Sequence, residues 1–335
     1  MPKLLCKAQT GLRLSLVPKY GPSFGNWLPG QRFVGIGWMA QNRHNSGILQ
    51  PCVESRSWLT CTSNRSVNKM IYFATALAFV WPTWYSLRGG WQGERGFQIA
   101  GFDTNALGLG LLAIAAAVYF WGMEYGIALI VAVAIHEFGH VAAFRVCGHA
   151  DARFRLIPMM GGVAISNQVP ASADKAFFIT LMGPAINLGP MVFCFAVSES
   201  VFAAEFASEI PYQIASYLYV QGMVIAALNF FNLLPLWPFD GGKLTQSLTF
   251  SFAPDLTRSV SLAMMGFAVL LCLATQSLFL LFFVLFSWPS LMQSENLLHL
   301  QRPLSRKRAL LSLAAYIATA AAFFAGGHPL MKGFF

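Results

Sequence analysis

The chain has 335 residues, of which 56% are hydrophobic and only 10% are charged, with a mean hydropathy of +0.57. Soluble domains are about 45–50% apolar and about 25% charged, so this composition excludes an ordinary soluble protein and predicts a multi-pass protein of the lipid bilayer. The net charge of +9 does not indicate nucleic-acid binding, because the basic residues lie mostly outside the apolar stretches and are not interleaved with aromatic residues. The six cysteines show no paired spacing, which predicts unpaired thiols.

Residues 1–69 differ from the rest of the chain. They carry nine Lys or Arg against one acidic residue, Glu54, and they lack helical or strand periodicity, which predicts a disordered segment. Three interpretations remain open: a solvated basic tail, an organelle transit peptide, or an over-long gene prediction whose true start is Met70. The third is favoured, because an apolar stretch begins directly at Met70.

The apolar stretches after residue 69 predict an all-α polytopic membrane protein with six to eight membrane segments. The stretch Ser261–Leu291 is too long for one crossing, since its 31 residues would extend about 46 Å against a hydrocarbon core of about 30 Å. We therefore predict a tight turn near Thr275–Ser277. The predicted segments are 70–87, 105–122, 125–147, 177–197, 214–236, 261–288 and 310–324, grouped as an N-terminal apolar segment and loop (70–103), a core (104–292) and a C-terminal loop with an additional span (293–335).

An HExxH motif, His136 to His140, lies inside one of these apolar segments. Residues four apart share one face of a helix, so His136 and His140 can bind one zinc ion while Glu137 activates a water molecule. Ionisable groups at membrane depth cost roughly 2.5 kcal/mol or more each, and a metal ion would compensate for them. The motif therefore predicts a functional site with one Zn²⁺ per chain.

Two histidines leave a zinc ion short of ligands, because catalytic zinc sites usually have three protein ligands and one open position. The best candidate for the third is Asp240, at the end of a segment that carries two prolines and closes with two glycines. Such irregular backbone at membrane depth is tolerated where it is buried in protein or lines a wet cavity. The alternatives are Glu295 as the ligand, or a simple interfacial turn at Asp240.

The segment 152–166 alternates apolar and polar residues and turns at Gly161 and Gly162, which predicts a short β-hairpin beside the HExxH helix. Its exposed edge could bind an unwound substrate as an extra strand. A connecting loop without a role is the alternative.

Together these motifs resemble the site-2 protease family of intramembrane zinc metalloproteases. The motifs are HExxH in a membrane segment, Gly-Pro-Ala-Ile-Asn at 183–187 and NxxPxxPxDG at 232–241, and the resemblance covers about residues 105–292. It implies a core of membrane helices around zinc, with His136, His140 and Asp240 as ligands and Glu137 as the general base. It further implies that Asn187 and Asn232 lie near the metal, where they could hydrogen-bond the substrate backbone or the developing oxyanion.

The chain departs from many family members in its size. Only Ser198–Gln213 separates the span with the 183–187 motif from the span that leads to Asp240, so a PDZ domain cannot fit there, and no nucleotide-sensing module is expected after Gln301. We predict a compact member of the family.

Loop charges predict the orientation. The loop after the HExxH helix and the later loops are basic, whereas the loop with Glu199, Glu205 and Glu209 is acidic, which places the C-terminal end of the HExxH helix on the cytoplasmic side. A bacterial inner membrane is favoured, and a plastid membrane also fits. A cytoplasmic tail followed by a full crossing at Met70–Leu87 would conflict with this orientation.

The predicted activity is hydrolysis of peptide bonds within or near transmembrane segments of membrane-anchored proteins. Peptide bonds in a membrane helix are already hydrogen-bonded, so substrates should carry helix-weakening Gly, Pro or Asn residues. The alternatives are an ion transporter, which would need ionisable residues on several spans, and a metal-binding scaffold without proteolytic activity. The sequence does not indicate an oligomeric state.

Overall fold

The structure is a computed structural model that describes residues 57–90, 107–157, 161–204, 206–277, 281 and 284–331. The predictions for the basic segment up to residue 56 lie outside the described residues. Leu59–Phe335 forms one compact unit. Its described thiols are free, as predicted, and they belong to Cys147, Cys194 and Cys272.

Helix α1 spans Ser57–Leu87 and therefore begins well before Met70. The prediction of irregular backbone up to residue 69 is wrong for this part, because hydrophobicity marks where a helix meets apolar surroundings and not where its helical backbone starts. Pro82 lies inside the helix. Beside it, the Thr83 hydroxyl donates to the Phe79 carbonyl at 2.8 Å.

Helix α2, Leu107–Val146, folds back on itself at Gly122, whose φ of 79° and ψ of 171° are not helical and suit glycine. Gly126 touches the backbone nine residues before it, which a straight helix forbids, since nine residues extend over about 13 Å. The helix therefore consists of a first limb, 107–121, and an antiparallel second limb, 123–146. The prediction of two separate segments is confirmed.

A β-hairpin follows the second limb. Strand β1, Arg153–Ile157, pairs antiparallel with strand β2, Gly161–Ile165, and Arg155 lies opposite Val163. Both strands contact α2. The structure confirms the predicted hairpin beside the HExxH helix.

Hydrogen bonds close the open end of the hairpin. The Ser166 hydroxyl lies 3.0 Å from His149 Nδ1 and donates to Asp151 Oδ1 at 3.0 Å, and the Asn167 N–H donates to Asp151 Oδ2 at 2.6 Å. The Asn167 bond, assisted by Ser166, lowers the pKa of Asp151 below its usual value despite a partial desolvation. These bonds tie both ends of the hairpin to the end of α2.

The remaining described helices follow in order. The chain turns back after α7, where Gln276 has a φ of 53°, so the predicted turn near Thr275–Ser277 is confirmed. The helices are α3 (Ala173–Ile186), α4 (Leu188–Phe202), α5 (Ile210–Asn232), α6 (Asp240–Phe252), α7 (Thr257–Ala274), α8 (Trp288–His299) and α9 (Arg306–Met331).

Five helical stretches of the described chain are long and apolar enough to cross a membrane. Because the first folds back at Gly122, they provide six apolar limbs, within the predicted range of six to eight. The all-α polytopic class with one hairpin is confirmed, and the protein is an integral membrane protein. The stretches are Gly108–Val146, Ala173–Phe202, Ile210–Asn232, Pro254–Ala274 and Arg306–His328.

Candidate active site

The two histidines of the HExxH motif lie on the second limb of α2 and face the protein interior. His136 and His140 are 2% and 7% exposed, and their Nε2 atoms lie 3.0 Å apart. The helical spacing of four residues brings the imidazoles to one face, and α3 and α5 pack against that helix. The apolar helices therefore enclose a polar pair.

Asp240 completes the cluster from a different part of the fold. It is the first residue of α6, and its Oδ2 lies 3.0 Å from His136 Nε2 and 3.1 Å from His140 Nε2. These three residues offer one ligand atom each, all within 4.8 Å of one another. Glu295, the alternative ligand, does not belong to this cluster.

Two hydrogen bonds determine which ring nitrogens face the cluster. His136 Nδ1 lies 2.8 Å from the side-chain oxygen of Asn229, and His140 Nδ1 lies 2.8 Å from the carbonyl oxygen of Ile179. Oxygen acceptors of this kind require the proton on Nδ1. Both Nε2 atoms therefore present lone pairs toward each other and toward the Asp240 carboxylate.

This donor set fits a zinc ion. Two unprotonated imidazole nitrogens and a carboxylate oxygen about 3 Å apart repel one another unless a cation lies between them. A tetrahedral zinc site with Zn–N distances of about 2.0–2.1 Å separates its ligand atoms by roughly 3.3 Å, close to the spacing found here. Three protein ligands leave a fourth position for water or substrate.

The second carboxylate oxygen of Asp240 has a separate partner. Lys243, one helical turn later, donates to Asp240 Oδ1 at 3.1 Å, while Oδ2 faces the histidines. The lysine thus holds the carboxylate so that one oxygen remains directed at the cluster. Lys243 also lines a cavity of about 220 Å³ whose wall includes Thr180, Gln246 and Ser247.

Glu137, the expected general base, is buried beside the cluster, with 7% of its surface exposed. Strand β2 packs directly on its side chain, since a Cβ on Gly162 would overlap Glu137 Cγ. The hairpin and the base are therefore in contact. Of the paired glycines predicted at the substrate edge, Gly162 borders Glu137, and Gly161 precedes it at the start of β2.

The two asparagines expected near the metal have different surroundings. Asn232 Nδ2 lies 3.3 Å from His136 Nε2, at the cluster itself. Asn187 is fully buried and directs its amide nitrogen to the Ala132 carbonyl at 3.2 Å and the Asn229 side-chain oxygen at 3.3 Å. The amide nitrogen of Asn187 is thus bonded to two protein acceptors, one of which, Asn229, also bonds His136. Its contacts are with the residues that support the metal ligands.

Asn229 is the site residue that sequence reasoning missed. Its side-chain nitrogen donates to the Ile225 carbonyl at 2.7 Å, and its oxygen accepts from His136 and Asn187. One signal was available: Asn229 and Asn232 lie one turn apart at the end of α5, directly after the apolar run 222–228. A buried amide in such a position needs a partner.

Loss of the Asn229 bond should weaken zinc binding. We expect Asn229→Leu, which keeps the number and branching of the side-chain heavy atoms, to reduce zinc affinity by about 10- to 100-fold, because His136 loses the partner that orients its ring. Competition with a chelator measures the affinity. Gln221→Met is the matched control, because Gln221 also lies on α5 and bonds to α2, at the Ala128 carbonyl, but far from His136. Equal affinities of the two variants would contradict the role of Asn229.

Comparison with known proteins points to one family. The sequence profile described as peptidase family M50 matches residues 125–216 and 197–274, which contain both histidines and Asp240. Over this part of its length, the chain is similar to peptidase family M50. This is the site-2 protease family that the motifs resemble, and the resemblance is thereby confirmed.

Two curated proteins match part of this chain. A zinc metalloprotease of Methanocaldococcus jannaschii is 26% identical over 160 residues, covering 45% of this chain and 44% of the relative. A protein of Synechocystis sp., provisionally named a zinc metalloprotease, is 24% identical over 185 residues, covering 55% of this chain and 45% of the relative. The chain thus matches less than half the length of either relative. No solved structure matches it significantly.

Proposed function

We propose that this protein is a zinc metalloendopeptidase that hydrolyses peptide bonds in membrane-anchored proteins. The observation that carries the proposal is the convergence of His136, His140 and Asp240 ligand atoms within 4.8 Å, with Glu137 buried next to them. Both relatives are named as zinc metalloproteases, and similarity to family M50 supports the same activity.

The residues of the site divide the chemistry between them. A zinc ion bound here would polarise a peptide carbonyl and lower the pKa of a water molecule. Glu137 accepts the proton of that water and delivers it to the leaving amine. The Asn232 amide, 3.3 Å from His136 Nε2, supports the proposal that Asn232 donates to the carbonyl oxygen under attack.

Water must reach a site enclosed by apolar helices. The cavity of about 220 Å³ beside Lys243 supports such access, since its lining includes several hydroxyl and amide groups that can hydrogen-bond water molecules. Hydrolysis at this depth is therefore compatible with the fold.

Substrate binding can use the hairpin. A two-stranded sheet has unpaired outer edges, to which an extended peptide can add by main-chain hydrogen bonds. Gly162 brings β2 against Glu137, so a peptide bound along the hairpin would run close to the base. We propose that substrates unwind near the cleaved bond, where Gly, Pro or Asn weakens the helix.

The orientation follows from charge. The C-terminal end of α2 carries Arg145, and the following hairpin carries Arg153 and Arg155, whereas the segment between α4 and α5 is acidic. We propose that the site opens to the cytoplasmic side of a bacterial inner membrane.

Removal of the third ligand tests the proposal. We expect Asp240→Ala to lose its zinc and with it the cleavage of a co-expressed single-span substrate, because two imidazoles alone bind zinc weakly. Zinc content of purified protein and the appearance of the cleaved fragment are the two measurements. Full zinc content in Asp240→Ala would exclude Asp240 as a ligand, and wild-type protein that binds zinc without cleaving any substrate would favour the scaffold.

A further inference from the structure

The last helix reaches the segment that carries Asp240. The Tyr316 hydroxyl of α9 donates to the Leu233 carbonyl at 2.5 Å, and Tyr316 is 9% exposed. Leu233 is the first residue after α5, in the irregular segment that leads to Asp240. Helix α9 lies outside residues 125–274, the part matched by the family, so the family match assigns it no role.

Helix α9 is firmly seated on the core. Ala309, Tyr316 and Phe323 repeat every seven residues, all belong to the main buried cluster, and both Ala309 and Phe323 are fully buried. At its start, Arg308 pairs with Asp174 of α3 at 2.9 Å. One face of α9 therefore packs against the core, and the tyrosine hydroxyl lies on that face.

A short path leads from Leu233 to the metal ligand. The carbonyl oxygens of Leu233 and Leu234 lie against Gly241 so closely that a Cβ there would overlap both. Gly241 directly follows Asp240. A shift of the Leu233 carbonyl would therefore push on the backbone of the residue next to the ligand, and Asp240 would move relative to the two histidines on α2.

We propose that Tyr316 is a positioning residue, through which α9 holds the backbone after α5 and thereby keeps Asp240 within reach of the metal held by His136 and His140. This inference rests on the proposed zinc site and gives the C-terminal span a function. It predicts that zinc affinity depends on one hydroxyl group located on a different helix from every ligand.

The test compares two single-hydroxyl deletions on α9. Tyr316→Phe removes the hydroxyl and keeps the ring, whereas the control Thr319→Val removes a buried hydroxyl that bonds only within α9, to the Ala315 carbonyl at 2.7 Å. Zinc affinity of the full-length purified protein is measured by chelator competition, and thermal unfolding is followed with and without zinc.

We expect zinc affinity to fall by about 10-fold in Tyr316→Phe, since removing the partner of a buried acceptor corresponds to roughly 5- to 100-fold in an equilibrium constant, and to stay at the wild-type value in Thr319→Val. The zinc-dependent rise in unfolding temperature should shrink in Tyr316→Phe only. A purely structural hydroxyl would lower stability equally with and without zinc, and that result overturns the proposal, as does wild-type affinity in Tyr316→Phe. Both readouts are independent of cleavage, so a zinc-binding protein without protease activity would refute the proposed function and leave this inference standing.

Discussion

The Glu137→Gln variant is expected to lose cleavage by about 100- to 10,000-fold, the usual contribution of a general base, while it keeps its zinc. The amide cannot accept the proton of the attacking water, but it has nearly the shape of the carboxylate, and Glu137 is not one of the three clustered ligands. Fragment formation from a single-span substrate and zinc content are measured on the same preparations.

Glu124→Gln provides the matched control for this variant. Glu124 lies on the same helix but is exposed, just after the fold at Gly122. We expect it to cleave at the wild-type rate. Undiminished cleavage by Glu137→Gln would exclude the base role, and loss of zinc from that variant would mean that Glu137 also holds the metal.

The Gly183→Ala variant is expected to lose zinc and all measurable cleavage. A Cβ at Gly183 would overlap the His140 imidazole at Nε2 and Cε1, at the edge that faces the cluster. The ring cannot simply turn away, because its Nδ1 is bonded to the Ile179 carbonyl on the same helix as Gly183. One added methyl group thus displaces a ligand atom.

The control is Gly266→Ala on α7, where a Cβ would meet nothing within 4 Å. An alanine there replaces glycine in a helix and should slightly stabilise it, with no effect on zinc. Zinc content, and the unfolding temperature in the presence of a chelator, are measured for both Gly183→Ala and Gly266→Ala. Full zinc occupancy in Gly183→Ala would show that α2 and α3 adjust, and the expected clash would be refuted.

Local spacing predicted the parts of the site that depend on local geometry. The HExxH spacing was enough to place His136 and His140 on one face, and the paired glycines indicated the hairpin. Asp240 was harder to predict, since 104 residues, 240 minus 136, separate it from the first histidine. The two prolines before Asp240, the two glycines after it and the polar surroundings of Glu295 in the sequence distinguished the two candidates.

The residues that escaped prediction act across helices. Asn229 looked like any amide in an apolar span, and its importance comes from His136, a residue on another helix. Tyr316 was not singled out in the sequence, and the packing of α9 on α5 brings it to Leu233. The early start of α1 at Ser57 was missed because polar residues form its first turns. The contacts of Asn229 and Tyr316 join different helices, and such contacts leave no periodic pattern in the sequence.

The order of the ligands along the chain has a consequence for biosynthesis. The ribosome adds about 5–20 residues per second, so Asp240 is made roughly 5–20 s after His136. Tyr316 follows 76 residues later still, 316 minus 240. During this interval the nascent chain already carries both imidazoles but cannot complete the ligand set. The three ligands are therefore complete only once residue 240 has been added, and the contact that we propose positions Asp240 forms only once residue 316 has been added.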